Sequence, residues 1–245
     1  MAESIDEFFA DDRLTDSNLR DSVLHIHKYL ERKATAQETV QSITASLSAI
    51  SLSEVLDECI VRAAEQLPET HNDLVELVVQ LRSQQQHKSE NDGAEFDHSL
   101  VMALGERWVC YGDPDPQNAW KEEARAEWTN LNYFAALLFS AGIKRLASFG
   151  GRSLQMTLKR RSWGVNWGGL ENTSDSIIAF EGHAEAAAHW IIICGRQLYD
   201  ESNDVKTEFT TLQANLAWIL ELDDLNNDIK SKLQEAKTAM DEISA

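Results

Sequence analysis

Residues 1–92 and 196–245 contain no glycine, and the 245-residue chain holds only three prolines, Pro68, Pro114 and Pro116. Glycine and proline are the residues that most readily interrupt a helix. Long stretches without them, rich in Ala, Leu, Glu, Gln and Lys, favour helix throughout. No segment alternates convincingly enough for a strand. The chain therefore reads as all-α, either an orthogonal multi-helix bundle or a short helical-repeat-like array. No repeat period is clear enough to name a solenoid.

Apolar spacing places the helices. Leu19, Val23, Ile26 and Leu30 form one stripe, in a helix that Asp16 or Ser17 can cap. Thr35 and Glu38 form a capping box for a second, faced by Val40, Ile43 and Leu47. Val55, Leu56, Cys59, Ile60, Ala63 and Leu67 mark a third that stops before Pro68, and Leu74, Leu77, Val78 and Leu81 a fourth. A long helix is expected over 118–141, with Trp128, Leu131, Ala135 and Leu138 on its buried face. Shorter ones are expected at 143–149 and 152–161, parted by Gly150-Gly151. Others are expected over 182–200, 205–221 and 223–243. The polar run 83–97 reads as a linker, 111–116 as a turn, and 162–173 as a glycine-rich loop. The organisation expected is a flexible acidic arm over 1–15 and one all-α domain over 16–245. That domain would comprise an N-terminal layer at 16–87, a Trp-rich core at 98–201 and acidic helices at 205–243.

Charge is unevenly spread. The formal net charge is -19, yet residues 128–170 contain no Asp or Glu and do contain Lys144, Arg145, Arg152, Lys159, Arg160 and Arg161. Six of the seven tryptophans lie between Trp108 and Trp190. A strongly acidic chain argues against nucleic acid as a partner. No apolar run is long enough to span a bilayer, and the acidic first residues lack a signal core. The expectation is a cytosolic or nuclear protein with no nucleic-acid or membrane partner. The three cysteines, Cys59, Cys110 and Cys194, lack metal-like spacing and read as reduced thiols.

Known motifs offer little chemistry. His25 and His27 stand two apart, and His183 and His189 six apart, so neither pair faces one ion from a single helix. Glu185 and His189 do share a face. There is no Gly-x-Ser-x-Gly, no Cys-x-x-Cys, and no Gly-Lys-Ser/Thr after the 164–169 glycines. The acidic run at 223–228 misses the terpene-cyclase Asp-Asp-x-x-Asp spacing by one residue and reads as a helix start. No metal and no cofactor are expected. The basic run at 159–161 reads first as pairing with the chain's own acidic helices.

Two segments carry a likeness. One runs Glu127-Trp128-Thr129-Asn130-Leu131-Asn132-Tyr133-Phe134-Ala135. The other is Ala186-Ala187-Ala188-His189-Trp190-Ile191, followed by Gly195-Arg196-Gln197-Leu198-Tyr199. Together with the Thr35 helix start they resemble the fungal family known as domain of unknown function 3632, over roughly 33–201. The likeness implies a fungal, cytosolic, helical protein and supplies no catalytic residues.

The residues singled out for a ligand are Trp128, Asn132, Tyr133, Arg152, Trp163, Trp167, His183 and Trp190. Aromatic rings with a few polar groups are what lines a small-molecule pocket. The expected function is non-catalytic binding of a small ligand or a protein partner through this centre. One alternative is a cofactor-independent cyclase or isomerase of fungal secondary metabolism, with Asn132, Tyr133, Arg152 and His183 as the groups to test. Another is a scaffold whose acidic C-terminal helix engages a basic partner.

Overall fold

The structure is a computed structural model that describes residues 4–11, 14, 19–46, 49–112, 122–159 and 173–244. Among them there is helix and no strand, so the all-α reading holds. The chain divides into two compact units, Met1–Trp108 and Val109–Ala245, where the sequence suggests one domain.

The first unit begins with α1 (Ile5–Phe9), which buries Phe8 and Phe9. This part of the expected flexible arm is therefore an anchored helix. A capping box explains it: Ser4 Oγ accepts from Glu7 N, and Glu7 answers by accepting from Ser4 N. Next come α2 (Arg20–Leu30) and α3 (Ala36–Ser46). The expected Asp16 or Ser17 cap of α2 lies outside the described residues. Helix α2 ends with Arg32 in the left-handed region (φ 63°). Lys33 N reaches Lys28 O and Arg32 N reaches Tyr29 O, the closed turn that commonly ends a helix. The Thr35 capping box forms as expected, with Glu38 N donating to Thr35 Oγ1 at 3.2 Å and Thr35 N to Glu38 Oε2 at 2.9 Å.

The third predicted helix is broken into kinds. It starts as α4 (Ala49–Glu54), winds as a π-helix over Val55–Val61, and finishes as α5 (Arg62–Gln66) before Pro68. Arg62 is buried, paired with Asp11 and lying over the Phe8 ring. Two long helices complete the unit, α6 (His71–Lys88) and α7 (Glu90–Gly112), the unit boundary falling within α7 after Trp108. The expected linker at 83–97 is thus helical. Only Ser89 departs from helix, and its Oγ accepts from Asp92 N at 3.1 Å to cap α7. Polarity there marks a solvated face. Leu74, Leu77, Val78 and Leu81 of α6 are fully buried. Tyr29 of α2 donates to Asp73 O at 3.1 Å and Glu76 Oε2 at 3.2 Å of α6. Burial and those carboxylates hold its phenol well above its ordinary value.

The second unit is built around one helix. Helix α8 (Glu122–Ser140) ends at Gly142 (φ 98°), with Ile143 N reaching Leu138 O and Gly142 N reaching Phe139 O. After a short 3-10 turn, α9 (Ala147–Leu158) runs unbroken through Gly150-Gly151, where two helices were expected. Gly150 serves contact here: an added Cβ would sit 2.6 Å from Cε3 of Trp190. Helix α10 (Thr173–Glu201) is the longest and is kinked at Cys194 (φ -143°, ψ 22°). It packs on α8, on α9, on α11 (Asn203–Leu220) and on α12 (Asn227–Ser244). Its small residues Ala184, Ala186, Ala187 and Ala188 are buried and let neighbouring backbones come close. The expected turn at 113–116 and the loop at 162–172 lie outside the described residues.

Candidate functional site

Four of the residues singled out in the sequence meet in the middle of the second unit. Trp128 and Asn132 project from α8, one turn apart. His183 and Trp190 project from α10, about two turns apart. All four are almost wholly buried. The Asn132 amide joins them: its Nδ2 donates to Trp128 O at 2.9 Å, and its Oδ1 accepts from Trp190 Nε1 at 3.0 Å. Trp128 meets His183 edge to face, with ring centroids 5.4 Å apart. Thr157 of α9 donates to His183 O at 3.0 Å. The result is a buried polar knot that fixes the relative height of three helices.

The other predicted site residues lie apart from it. Tyr133 is half-buried and stacks edge-on to His189, 4.8 Å between centroids. Arg152 is exposed on α9. Trp163 and Trp167 lie outside the described residues, as do Arg160 and Arg161. The described lysines of the basic stretch follow the self-pairing reading: Lys144 lies 3.2 Å from Glu201 and Lys159 2.7 Å from Glu208.

Trp190 also reaches the kink, where its carbonyl accepts from Cys194 Sγ at 3.2 Å. Burial pushes the Cys194 thiol up to about 12, and burial with the neighbouring Glu58 does the same for Cys59. Neither is a nucleophile in this state, since the thiolate is the reactive form. His71 in the first unit is held below its ordinary value by burial, while its Nε2 faces Ala64 O at 2.7 Å.

On the outer side of the kink lies a feature the sequence reading missed. The segment 191–197 of α10 and Ala239, Glu242 and Ile243 of α12 enclose an open groove of about 630 Å³. Its floor is apolar, with Ile192 41% exposed. Asp200, Glu201 and Glu242 stand along it against one cation, Arg196, whose guanidinium donates to Glu242 O at 3.3 Å. The signal was available: Ile191-Ile192-Ile193 are consecutive, and helical residues turn about 100° each. Three in a row cannot all face one core.

A second acidic concavity, at 223–228, is closed by internal ties. Glu181 accepts from Asn226 N at 2.7 Å and lies 3.5 Å from Arg125. Among the described residues no helix is long and apolar enough to cross a membrane.

Residues 58–231 match the model of a family described as Protein of unknown function (DUF3632). No curated protein matches the chain. The match starts later than the segment of likeness read from sequence and runs further, into α12. It takes in the whole knot and the first wall of the groove, and the chain belongs to this family.

Proposed function

We propose that this member of the DUF3632 family is a binding protein without chemistry of its own, which docks an amphipathic, basic segment of a protein partner in the α10–α12 groove. The observation that carries the reading is the exposed Ile192 floor between acidic walls. An apolar strip takes the apolar face of a helix, and flanking carboxylates select cations beside it. The groove is open along its length, whereas small-molecule sites bury most of their ligand. That favours a protein segment over a small ligand. Asn132 and His183 are buried under packed side chains, which favours binding at the outer face over catalysis at the centre. The knot has a supporting part in this reading. It holds the inner side of α10 still, so that the outer side keeps its shape.

The test uses a fluorescein-labelled helical peptide with a leucine face and a lysine face, followed by anisotropy at physiological salt. Binding should saturate. Ile192→Asp should weaken it about tenfold or more, since burying an isoleucine contributes roughly 1.5–3 kcal/mol. Leu24→Asp, at an equally exposed apolar site in the first unit (47%), should leave it unchanged. Equal loss in both variants, or in neither, would leave only general attraction to an acidic protein and would sink the reading.

A further inference from the structure

We infer that Asp6, His27 and Glu31 form a site for a divalent transition-metal ion, zinc foremost, that fastens α1 to α2. Among the described residues this is the one group of three metal-ligating side chains whose donor atoms all lie within 4.8 Å of one another. His27 Nε2 stands 2.9 Å from Asp6 Oδ1 and 3.6 Å from Glu31 Oε2. A tetrahedral zinc with bonds of about 2.0–2.1 Å sets its ligand atoms about 3.3 Å apart, and the two separations bracket that value.

Each donor is aimed by its surroundings. The Ser4 capping box and the buried Phe8 and Phe9 set α1, and with it Asp6. The His27 ring stacks on Phe9, 4.9 Å between centroids and 17° between planes. Lys33 holds the other oxygen of Glu31, Oε1, at 2.6 Å, leaving Oε2 toward His27. One nitrogen and two carboxylate oxygens suit zinc or a neighbouring first-row ion, and the two carboxylates balance its charge. Asp6 is 79% exposed, so ions can enter and water can complete the coordination. Paired histidines on one helix are not needed for such a site. Its trace in the sequence is His27 and Glu31, four apart on α2, with the third ligand supplied by another helix.

The experiment titrates the full-length protein with zinc chloride against a chromophoric chelator. One saturable site is expected. Asp6→Asn and His27→Gln should each weaken it about tenfold or more, the scale seen even for outer-sphere partners of a metal. His25→Gln, on the same helix, should not. Zinc should also raise hydrogen-exchange protection at the amides of Phe8, Phe9 and Ala10 in the parent protein and not in His27→Gln. No zinc uptake, or uptake that neither Asp6→Asn nor His27→Gln reduces, would show an ordinary Asp6–His27 ion pair and overturn the assignment.

Discussion

Replacing Asn132 by leucine tests whether the buried knot holds the second unit together. Asn132 is fully buried and makes two side-chain hydrogen bonds. They differ in worth. The bond to Trp128 O reaches back one turn along α8, to a carbonyl placed to accept the helix's own backbone bond, so its loss costs little. The bond from Trp190 Nε1 crosses between helices, and its loss strands an indole N–H inside a packed core. An unsatisfied buried donor costs about 1–3 kcal/mol. Leucine recovers part of that through apolar burial, and its shape strains a close-packed site. The net expectation is a loss of about 2 kcal/mol. Trp190→Phe should cost more, because a smaller ring leaves a cavity. The decisive quantity is the double variant. With both partners apolar no polar atom is stranded, so it should be more stable than the sum of the single losses predicts, by about 1–2 kcal/mol. The assay is urea denaturation followed by far-UV circular dichroism, which avoids removing the fluorescent reporter together with the residue. Strictly additive losses, or Asn132→Leu within about 0.5 kcal/mol of the parent, would refute the argument that this amide holds α8 to α10.

Two further outcomes follow from the same packing. Gly150→Ala should destabilise the protein by about 1–3 kcal/mol despite alanine's better helix propensity, because the new methyl would lie 2.6 Å from Trp190 Cε3 and 3.0 Å from Leu198 Cδ2; a raised thermal midpoint would contradict the close approach of α9 to α10. In a Cys110→Ser background, Cys59 and Cys194 should react with a thiol reagent at pH 8 only as fast as the protein unfolds. Their thiols are buried and raised to about 12, so the thiolate stays scarce until the pH rises far above 8; rapid labelling of the folded protein would contradict it.

Much of the helix plan was legible because its causes are local. The Leu74, Leu77, Val78 and Leu81 stripe is buried as its spacing requires, and the Thr35 and Glu38 cap forms from side chains three residues apart. The misreadings come from causes that are not local. Gly150-Gly151 has the look of a break, yet the reason for Gly150 is Trp190, forty residues away in sequence. The run at 83–97 has loop composition, but a single cap at Ser89 starts a new helix within it. Ser4 and Glu7 carried a readable capping signal that the surrounding acidity hid. At the centre, the types Trp128, Asn132 and Trp190 were readable, whereas their facing was not. Facing depends on the rotation of α8 and α10 about their axes, which is set by the close approach of Gly150 and the alanines of α10.

The π-helix at Val55–Val61 bears on how the first unit tolerates change. A π turn winds one more residue into each closed ring than an α turn does. Shortening this segment by one residue would let the α pattern run through, and everything downstream would swing by about 100°. Arg62 would then leave Asp11 and the Phe8 ring, and a guanidinium that is 4% exposed would have to find another counter-charge. The segment is a place where the length of the chain, more than the identity of its side chains, is held to a fixed value. Substitutions among its apolar residues should be far better tolerated than a single deletion.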